Sequence, residues 1–300
     1  MAPTPGIPLE WRVLQPDRKR EVSILLDRAF GLRAPSAYLA DFPVWDPALG
    51  PASNRHQVGG YHGPRLVSTA SIRVADYRFP DGTEIRFGLI GAVATHPDFA
   101  GKGYGSEALA LVTHEGNRRE VNAFALWGSD SPLYRKRNFA FGGKQRRVRI
   151  DSLRLPKATL AGFEFRSGWD LAIAEHFLAR KTGLRYVDAD VPWLSRHPNV
   201  EWRTLWIDGK CLAYCAWNRG IDLPGIVHEL DGDPEACLTL LGLLRDRYPN
   251  LEWIAHPELF ARWRIAGGEE GALENLAQFR LRALDVSRLD AVWFSGMDSC

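Results

Sequence analysis

A glycine-rich loop between a strand-like and a helix-like segment constrains this chain most. Residues 96–109 read HPDFAGKGYGSEAL, with Gly101, Gly103 and Gly105 at alternating positions. The preceding segment TEIRFGLIGAVAT alternates as strands do, and the following segment SEALALVTHEGNRRE has apolar residues at helical spacing. A strand, a tight glycine turn and a helix in this order predict an α/β protein. Glycine at such a turn permits positive φ and a close approach to the backbone.

The start of the helix after this loop predicts an anion site. Unpaired N–H groups and the positive end of the helix dipole meet there, and phosphate is the usual ligand. The spacing G-x-G-x-G, about 100 residues into the chain, matches neither the dinucleotide loop G-x-G-x-x-G nor the Walker loop G-x-x-x-x-G-K-[ST]. Taken alone, the loop also fits a tight turn that binds nothing.

Composition and charge describe an ordinary globular protein of 300 residues with a formal net charge of +2. No run of about 18 apolar residues is present, and the N-terminus does not resemble a signal peptide. We therefore expect a cytoplasmic protein without a membrane span. The four cysteines, Cys211, Cys215, Cys237 and Cys300, form no C-x-x-C pair, so we expect reduced thiols and no metal site.

The order of predicted elements indicates two similar α/β units, residues 1–152 and 160–290, joined by a short linker. Asp81-Gly82 and Asp208-Gly209 each predict a β-hairpin at matching places in the two units. We expect a short helix opening at Ser131-Pro132, a strand KQRRVRI closing the first unit, and a helix WDLAIAEHFLARKTG ending at Gly183. The second unit has DGDPEACL where the first has its glycine loop.

Two motifs together resemble the GCN5-related N-acetyltransferases, the GNAT family. The family loop R/Q-x-x-G-x-G/A corresponds to residues 100–105, and its later motif, close to Y-x-x-x-G-F, corresponds to Tyr134 to Phe139. The tandem arrangement with a degenerate second unit resembles the Eis-type branch. This resemblance is strong over residues 85–142 and rests on element order elsewhere. It implies an α/β fold of two tandem GNAT-like units, each a mixed, mostly antiparallel sheet flanked by helices.

The resemblance also implies that the first unit binds acetyl-CoA, and because the second unit lacks the glycines we expect it to bind no cofactor. The pyrophosphate would lie on the main chain of the loop, and the pantetheine arm and thioester would lie along the end of the fourth strand. Ser129 matches a segment near the cofactor in relatives. The implied cofactor-binding residues are Val93, Ala94, Thr95, Gly101, Lys102, Gly103, Tyr104, Gly105, Ser106 and Ser129.

Two positions depart from the family pattern. Ala100 stands where the family has Arg or Gln, so a side-chain contact is lost while the main-chain donors of the loop are retained. Asn138 stands where the family has Gly before Phe. Because Asn tolerates the left-handed conformation that ends a helix, we expect the second change to have little structural effect.

By the same resemblance, Tyr134 would be the general acid that protonates the leaving thiolate. A phenol of pKa about 10 is protonated at neutral pH and can donate to a thiolate of pKa about 8.5. The alternative is a tyrosine that only packs. Asp130 is a candidate general base and, alternatively, a helix cap. Glu84 and His96 fit structural roles better, a water chain would serve equally as base, and the C-terminal carboxylate of Cys300 is a further candidate.

The leading function is therefore N-acetyltransfer from acetyl-CoA to a primary amine of a small-molecule or peptide acceptor. A second hypothesis is an acyl-CoA-binding sensor or scaffold without turnover, motivated by Ala100 and the missing base. A third is RNA binding through the basic run RKRNFAFGGKQRRVR, residues 135–149, although the overall charge does not favour nucleic acid as a partner. The sequence indicates neither the acceptor nor the oligomeric state.

Overall fold

The computed structural model describes residues 8–50, 52–156, 160–268 and 271–298. In the first half the helices are α1 (Lys19–Ala29), α2 (Ala37–Asp41), α3 (Tyr104–Arg118) and α4 (Pro132–Arg135). The strands of this half are β1 (Glu10–Val13), β2 (Arg55–His62), β3 (Arg65–Arg78), β4 (Glu84–Thr95), β5 (Ala123–Leu126), β6 (Ala140–Gly142), β7 (Gln145–Arg149) and β8 (Leu153–Arg154).

The second half follows a similar order, with an additional strand, β10, between its first two helices. Its helices are α5 (Leu171–Leu178), α6 (Val191–Leu194), α7 (Pro234–Arg247) and α8 (Pro257–Arg262). Its strands are β9 (Glu164–Ser167), β10 (Gly183–Leu184), β11 (Glu201–Ile207), β12 (Lys210–Arg219), β13 (Leu223–Gly232), β14 (Glu252–Ala255), β15 (Ala266–Gly267), β16 (Ala272–Glu274) and β17 (Ala277–Leu281).

Two large sheets organise these elements, and each takes a strand from the other half of the chain. The first runs β1-β2-β3-β4-β5-β17-β6, with β10 paired to β3, and the second runs β16-β7-β14-β13-β12-β11-β9. In each sheet one pair is parallel, β4 with β5 and β13 with β14, while the other pairings are antiparallel. The expected fold class, two mixed and mostly antiparallel sheets flanked by helices, is confirmed.

The local turn signals behave as expected. Both central residues of the β11–β12 turn have positive φ, Asp208 at 47° and Gly209 at 73°, which suits a tight hairpin. Gly82, with φ of 83°, lies in the turn between β3 and β4. Ser131 caps α4, because its side chain accepts a hydrogen bond from the N–H of Leu133 at 3.2 Å, and Pro132 follows at the first helical position.

Two expectations about individual elements were wrong. Helix α5 ends at Leu178 rather than at Gly183, and Gly183 instead begins β10, which pairs with β3. The strand of residues 145–149 does not extend the sheet of the first half but pairs with β14 and β16 of the second. Sequence periodicity identifies a strand but carries no information on its distant partner.

The core is apolar and extends between the sheets. Its largest cluster joins residues of both halves, including Trp45, Phe87, Phe177, Trp193 and Phe294. Cys211, Cys215 and Cys237 are buried free thiols, as expected, whereas Cys300 lies outside the described residues. Among the helices of the described ranges, none combines the length and apolarity needed to cross a bilayer.

A buried ion pair connects the two halves. Arg73 of β3 donates through Nε and Nη2 to the two carboxylate oxygens of Asp190, both at 3.2 Å, and each side chain is only 1% exposed. Asp190 also accepts from Asn54, from the main chain of Val187 and from the Trp193 indole. Burial opposes its ionisation, but Arg73 and these donors outweigh burial and hold the pKa of Asp190 below its ordinary value.

We expect Asp190→Asn to lower the free energy of unfolding by about 3–5 kcal/mol, because it leaves Arg73 buried without its counter-charge. The native pKa of Asp190 is depressed, so the pair stabilises the protein above the unfolded pKa of about 4 and loses this effect as the pH falls through the native pKa. Urea unfolding between pH 3 and 7 measures both effects. Glu164→Gln, which breaks an exposed pair with Arg166, is the control and should change little. Equal effects of the two variants would contradict the prediction.

Candidate functional site

The candidate site lies where the parallel strands β4 and β5 diverge. The two strands pair from Phe87 opposite Ala123 to Ile90 opposite Leu126, where β5 ends. Strand β4 continues to Thr95, and over residues 91–95 it pairs only with β3 among the described strands. Its other edge therefore lacks a strand partner there and leaves backbone groups for a ligand.

A β-bulge marks the beginning of this open edge. In the register, Ser71 lies opposite Gly91 and Thr69 opposite Ala94, so two residues of β4 face one residue of β3. Ala92 has φ of 50°, which is rare for alanine, and its N–H donates to the Tyr38 hydroxyl at 3.2 Å. Helix α2, which carries Tyr38, therefore holds the bulge in place. The sequence gives no signal for this bulge, because an alanine in a strand does not indicate positive φ.

The three glycines of the loop meet different requirements. Gly101 and Gly103 have φ of 76° and 88°, and no atom lies within 4 Å of the position a Cβ would take. They combine the left-handed conformation with open space in front of the start of α3. Gly105 lies inside α3, and a Cβ there would be 3.3 Å from Oγ1 of Thr95. The first two glycines thus shape the loop, while the third allows the end of β4 to approach the helix.

The other residues of the loop are placed as follows. Lys102 is exposed, with its ammonium 4.8 Å from the centre of the Phe99 ring. Tyr104 is 4% exposed and belongs to a small core cluster, so its side chain packs inward. Ser106, in the first turn of α3, accepts hydrogen bonds from the Arg137 guanidinium at its Oγ and its carbonyl oxygen, at 3.0 and 3.2 Å. Arg137 thereby connects the start of α3 to the segment after α4.

Helix α4 places Tyr134 beside the chain that leaves β5. Asn138 adopts the left-handed conformation, with φ of 62°, and the N–H of Phe139 donates to the carbonyl oxygen of Tyr134 at 3.1 Å. The departure from glycine at Asn138 is therefore accommodated as expected. The Tyr134 ring lies against Gly128, where a Cβ would be only 2.9 Å from its Cε2.

The environment of Tyr134 suits a proton donor. Burial raises the pKa of its phenol above the ordinary value, so the hydroxyl keeps its proton throughout the neutral range. No described residue hydrogen-bonds to this hydroxyl. Its proton is therefore not committed to a neighbour in the protein.

Gln278 of β17 is a site residue that sequence reasoning missed. It is 1% exposed, and its amide donates to the carbonyl oxygens of Gly128 and Ser129 at 2.8 and 3.2 Å. Through these bonds a strand from the end of the chain holds the turn that supports the Tyr134 ring. Ser129 itself is exposed at this turn. Only the pairing of β17 with β5 brings Gln278 here, and no local motif indicates that pairing.

The candidate bases differ in their surroundings. Asp130 is about half exposed and accepts a hydrogen bond from Arg135 at 2.6 Å. It does not cap α4, because Ser131 is the N-cap of that helix. Glu84 lies at the opposite end of β4 and pairs with Arg78. His96 is buried beside two guanidinium groups, and both burial and Arg65 lower its pKa.

The basic run does not form a continuous stripe. Its residues are divided between α4, the segment after it and strands of both sheets. Most of its basic side chains contact acidic or aromatic partners: Arg135 with Asp130, Lys144 with Asp290, Arg147 with Glu252, Arg149 with Asp151, and Arg146 with the Phe260 ring. Arg137 contacts Ser106 instead. This distribution does not favour the RNA-binding hypothesis. In the described ranges, no group of three or more His, Cys, Asp or Glu side chains is arranged to hold a metal ion.

The predicted site residues are largely brought together. Gly105 lies near both Thr95 and Leu133, Ser106 contacts Arg137, and Gly128 supports Tyr134. The open end of β4, the glycine loop and α4 therefore border one another. Asp130 and Ser129 are on the same turn, but their side chains are exposed. The C-terminal carboxylate of Cys300 lies outside the described residues.

Comparison with known proteins agrees with this fold. The GNAT acetyltransferase domain family matches residues 10–142. No curated protein sequence matches the chain. Solved structures with a similar fold include a probable N-acyltransferase from Enterococcus faecalis, with 15% identity, a TM-score of 0.65 and coverage of 92% of this chain and 73% of that chain.

Two further solved structures resemble the fold of this chain to a similar degree. A GCN5-related N-acetyltransferase from Kribbella flavida has 18% identity and a TM-score of 0.63, covering 92% of this chain and 72% of that chain. Eis1 from Mycobacterium abscessus has 13% identity and a TM-score of 0.61, covering 91% and 73%. At these identities the likeness concerns the fold, which extends over both halves of the chain. The match over residues 10–142 identifies this part of the chain as a GNAT acetyltransferase domain, and the fold of both halves is similar to that of Eis1.

Proposed function

We propose that this protein transfers an acetyl group from acetyl-CoA directly to a primary amine. The observation that carries the proposal is the juxtaposition of the open, bulged end of β4, the exposed start of α3 and the Tyr134 phenol. The first offers main-chain donors, the second an anion site, and the third a retained proton. These are the groups that acyl transfer from a thioester needs.

The chain's residues divide the binding between them. Main-chain N–H groups from Gly101 to Gly105 would hold the pyrophosphate, aided by the dipole of α3, while the N–H of Ser106 donates to the Gly103 carbonyl oxygen at 3.0 Å. Main-chain groups of Val93, Ala94 and Thr95 would align the pantetheine arm and the thioester carbonyl. Because the β4 edge is open beside a helix N-terminus, donors there would stabilise negative charge on the carbonyl oxygen. Ala100 offers no side-chain contact, so affinity would depend on the backbone.

Acetyl-CoA supplies the thioester. As the neutral amine attacks the carbonyl carbon, a C–N bond forms, the C–S bond breaks, and the electron pair of that bond leaves on sulfur. Tyr134 gives its proton to the thiolate, and the amine nitrogen loses one proton to a base or to water. Reprotonation of Tyr134 then returns the enzyme to its starting state, with no net gain or loss of protons. Asp130 is our candidate for that base, and a water chain is the alternative.

A binding protein without turnover is the second candidate, favoured by Ala100 and by the exposed, ion-paired state of Asp130. The two candidates differ in one measurement. Free-thiol release from acetyl-CoA in the presence of a panel of primary amines should rise above the rate without amine if the protein is an enzyme. Saturable CoA binding with no amine-dependent release would support the sensor and contradict our proposal.

We expect Tyr134→Phe to lower kcat by about a hundredfold or more, since general acid catalysis contributes about 10²–10⁴-fold. CoA affinity should stay within about twofold of wild type, because the ring and its packing remain. Since burial raises the pKa of Tyr134, wild-type kcat should not fall through loss of this proton below pH about 10. Steady-state kinetics from pH 6 to 10 measure both effects, and an unchanged rate in the variant would remove Tyr134 from the mechanism.

We expect Gly103→Ala to weaken CoA binding by about tenfold, because a Cβ at positive φ strains the loop and enters the space in front of α3. Gly209→Ala is the matched control. It has a similar positive φ and equally open surroundings, but it lies in the β11–β12 hairpin. Calorimetry with CoA should separate the two variants, and equal affinities would argue against a pyrophosphate at the loop.

We expect Gln278→Leu to lower kcat by about tenfold while the KM for acetyl-CoA changes little, because the variant releases the turn that holds Tyr134 but leaves the loop intact. Gln278→Glu should act similarly, since it removes the amide donor while keeping the size of the side chain. Gln145→Leu in β7 removes a comparable amide bonded to Glu274 and is the control. A rise in KM without a change in kcat would contradict a positioning role for Gln278.

A further inference from the structure

A cleft of about 310 Å³, lined mainly by the second half with Tyr77 and Pro80 of the first, lies where β13 and β14 diverge in the same way as β4 and β5. The parallel pairing covers Ile226 and Val227, after which β13 continues to Gly232 and α7 begins at Pro234. Among the described residues that line it, none belongs to the glycine loop, to α4 or to the bulge of β4. The cleft is therefore separate from the candidate acetyl-transfer site. Its volume is within the range of small-molecule pockets.

The start of α7, next to this cleft, disfavours a phosphate there. Asp233 caps the helix and accepts hydrogen bonds from the N–H groups of Glu235 and Ala236 at 3.0 and 3.1 Å. Its carboxylate therefore uses main-chain N–H donors at the start of α7, whereas the glycine loop leaves such donors open at the start of α3. A negative charge at this point also repels anions.

The lining of the cleft has an excess of carboxylates. Glu229, Asp231, Glu258 and Asp298 line it together with two guanidinium groups, Arg180 and Arg262. Arg180 is shared by three of these acids, with oxygens of Glu229, Asp231 and Asp298 at 2.8, 3.1 and 3.7 Å. Burial raises the pKa of Glu229 to about 7, against the lowering effect of Arg180, so the negative charge is complete only above neutral pH.

Asp231 is the carboxylate best placed to meet a ligand. Its side chain is 40% exposed, whereas those of Glu229 and Asp298 are at most 2% exposed. Aromatic rings complete the wall: Trp253 and Trp263 lie nearly parallel, with ring centres 6.2 Å apart. Indole faces beside carboxylates are the usual surroundings of a bound ammonium group.

A buried imidazole in the same wall lacks a hydrogen-bond donor. His228 is 1% exposed, and neither ring nitrogen has a partner among the described residues. Burial and the nearby Arg219 lower its pKa well below the ordinary value, so the ring is neutral and one nitrogen carries a free lone pair. The neutral ring has one unpaired acceptor and one unpaired N–H donor, and an ammonium group in the cleft would meet the acceptor.

We propose that this cleft binds a small organic ammonium ion, with Asp231 as its counter-ion and the partly exposed Trp263 ring, backed by the buried Trp253, against its apolar part. The site is independent of acetyl transfer, because it contains no residue of the glycine loop or α4. The tandem protein would then bind its acyl donor in one half and a cation in the other.

Calorimetry with 2-phenylethylamine at pH 8, without acetyl-CoA, tests this site. Two probes of similar shape serve as comparisons, neutral 2-phenylethanol and anionic phenylacetate. We expect the amine to bind at least about tenfold more tightly than the alcohol, and phenylacetate not to bind. Asp231→Asn should weaken amine binding by about tenfold, while Asp188→Asn, an exposed acid outside the cleft, and Tyr134→Phe should leave it unchanged.

A steric variant keeps the test independent of charge. Thr182 is exposed and lines the cleft, so Thr182→Trp should fill part of the space and abolish binding while the surface position tolerates the change. Amine binding that survives both Asp231→Asn and Thr182→Trp would place the amine elsewhere, as at the acceptor position of the first half, and overturn the proposal. Equal affinity for amine and alcohol would also overturn it.

Discussion

The exchange of strands between the two sheets is the constraint on which the rest of the structure depends. Strand β17 lies between β5 and β6 in the first sheet, and β7 lies between β14 and β16 in the second. Each half therefore completes the other's sheet and removes an exposed edge that would otherwise present unpaired backbone groups. The Arg73–Asp190 pair adds a buried polar contact between the same two halves. The position of Tyr134 depends on this exchange, because Gln278 reaches the supporting turn only through β17.

The two halves share a geometry and differ in chemistry. In both, a parallel pair diverges next to the start of a helix. In the first half, glycines leave the helix N-terminus open, whereas in the second Asp233 occupies it. A fold of this kind creates a cleft twice, and our two proposals assign an anion to the first and a cation to the second because a few side chains differ.

Local signals explain how much could be predicted from the sequence. The hairpins at Gly82 and Gly209, the α4 cap at Ser131 and the glycine loop depend on neighbouring residues, and the structure agrees with them. Partners far apart in the chain carry no such signal, so the exchange of β7 and β17 and the role of Gln278 were not predicted. The Ala92 bulge was missed for another reason, because a hydrogen bond to the Tyr38 hydroxyl holds a conformation that alanine does not indicate.

The place of β17 in the first sheet has a consequence for synthesis of the protein. Gln278 and Gly128, which meet in the native structure, are separated by 150 residues. When a ribosome has completed the first half, the edge of β5 is still unpaired, and it stays so until residues 277–281 emerge. Contacts of such long range form slowly and leave a nascent chain exposed to wrong pairing. The sheet of the first half thus waits for the second half, and a fragment ending near residue 152 lacks the strand that completes it.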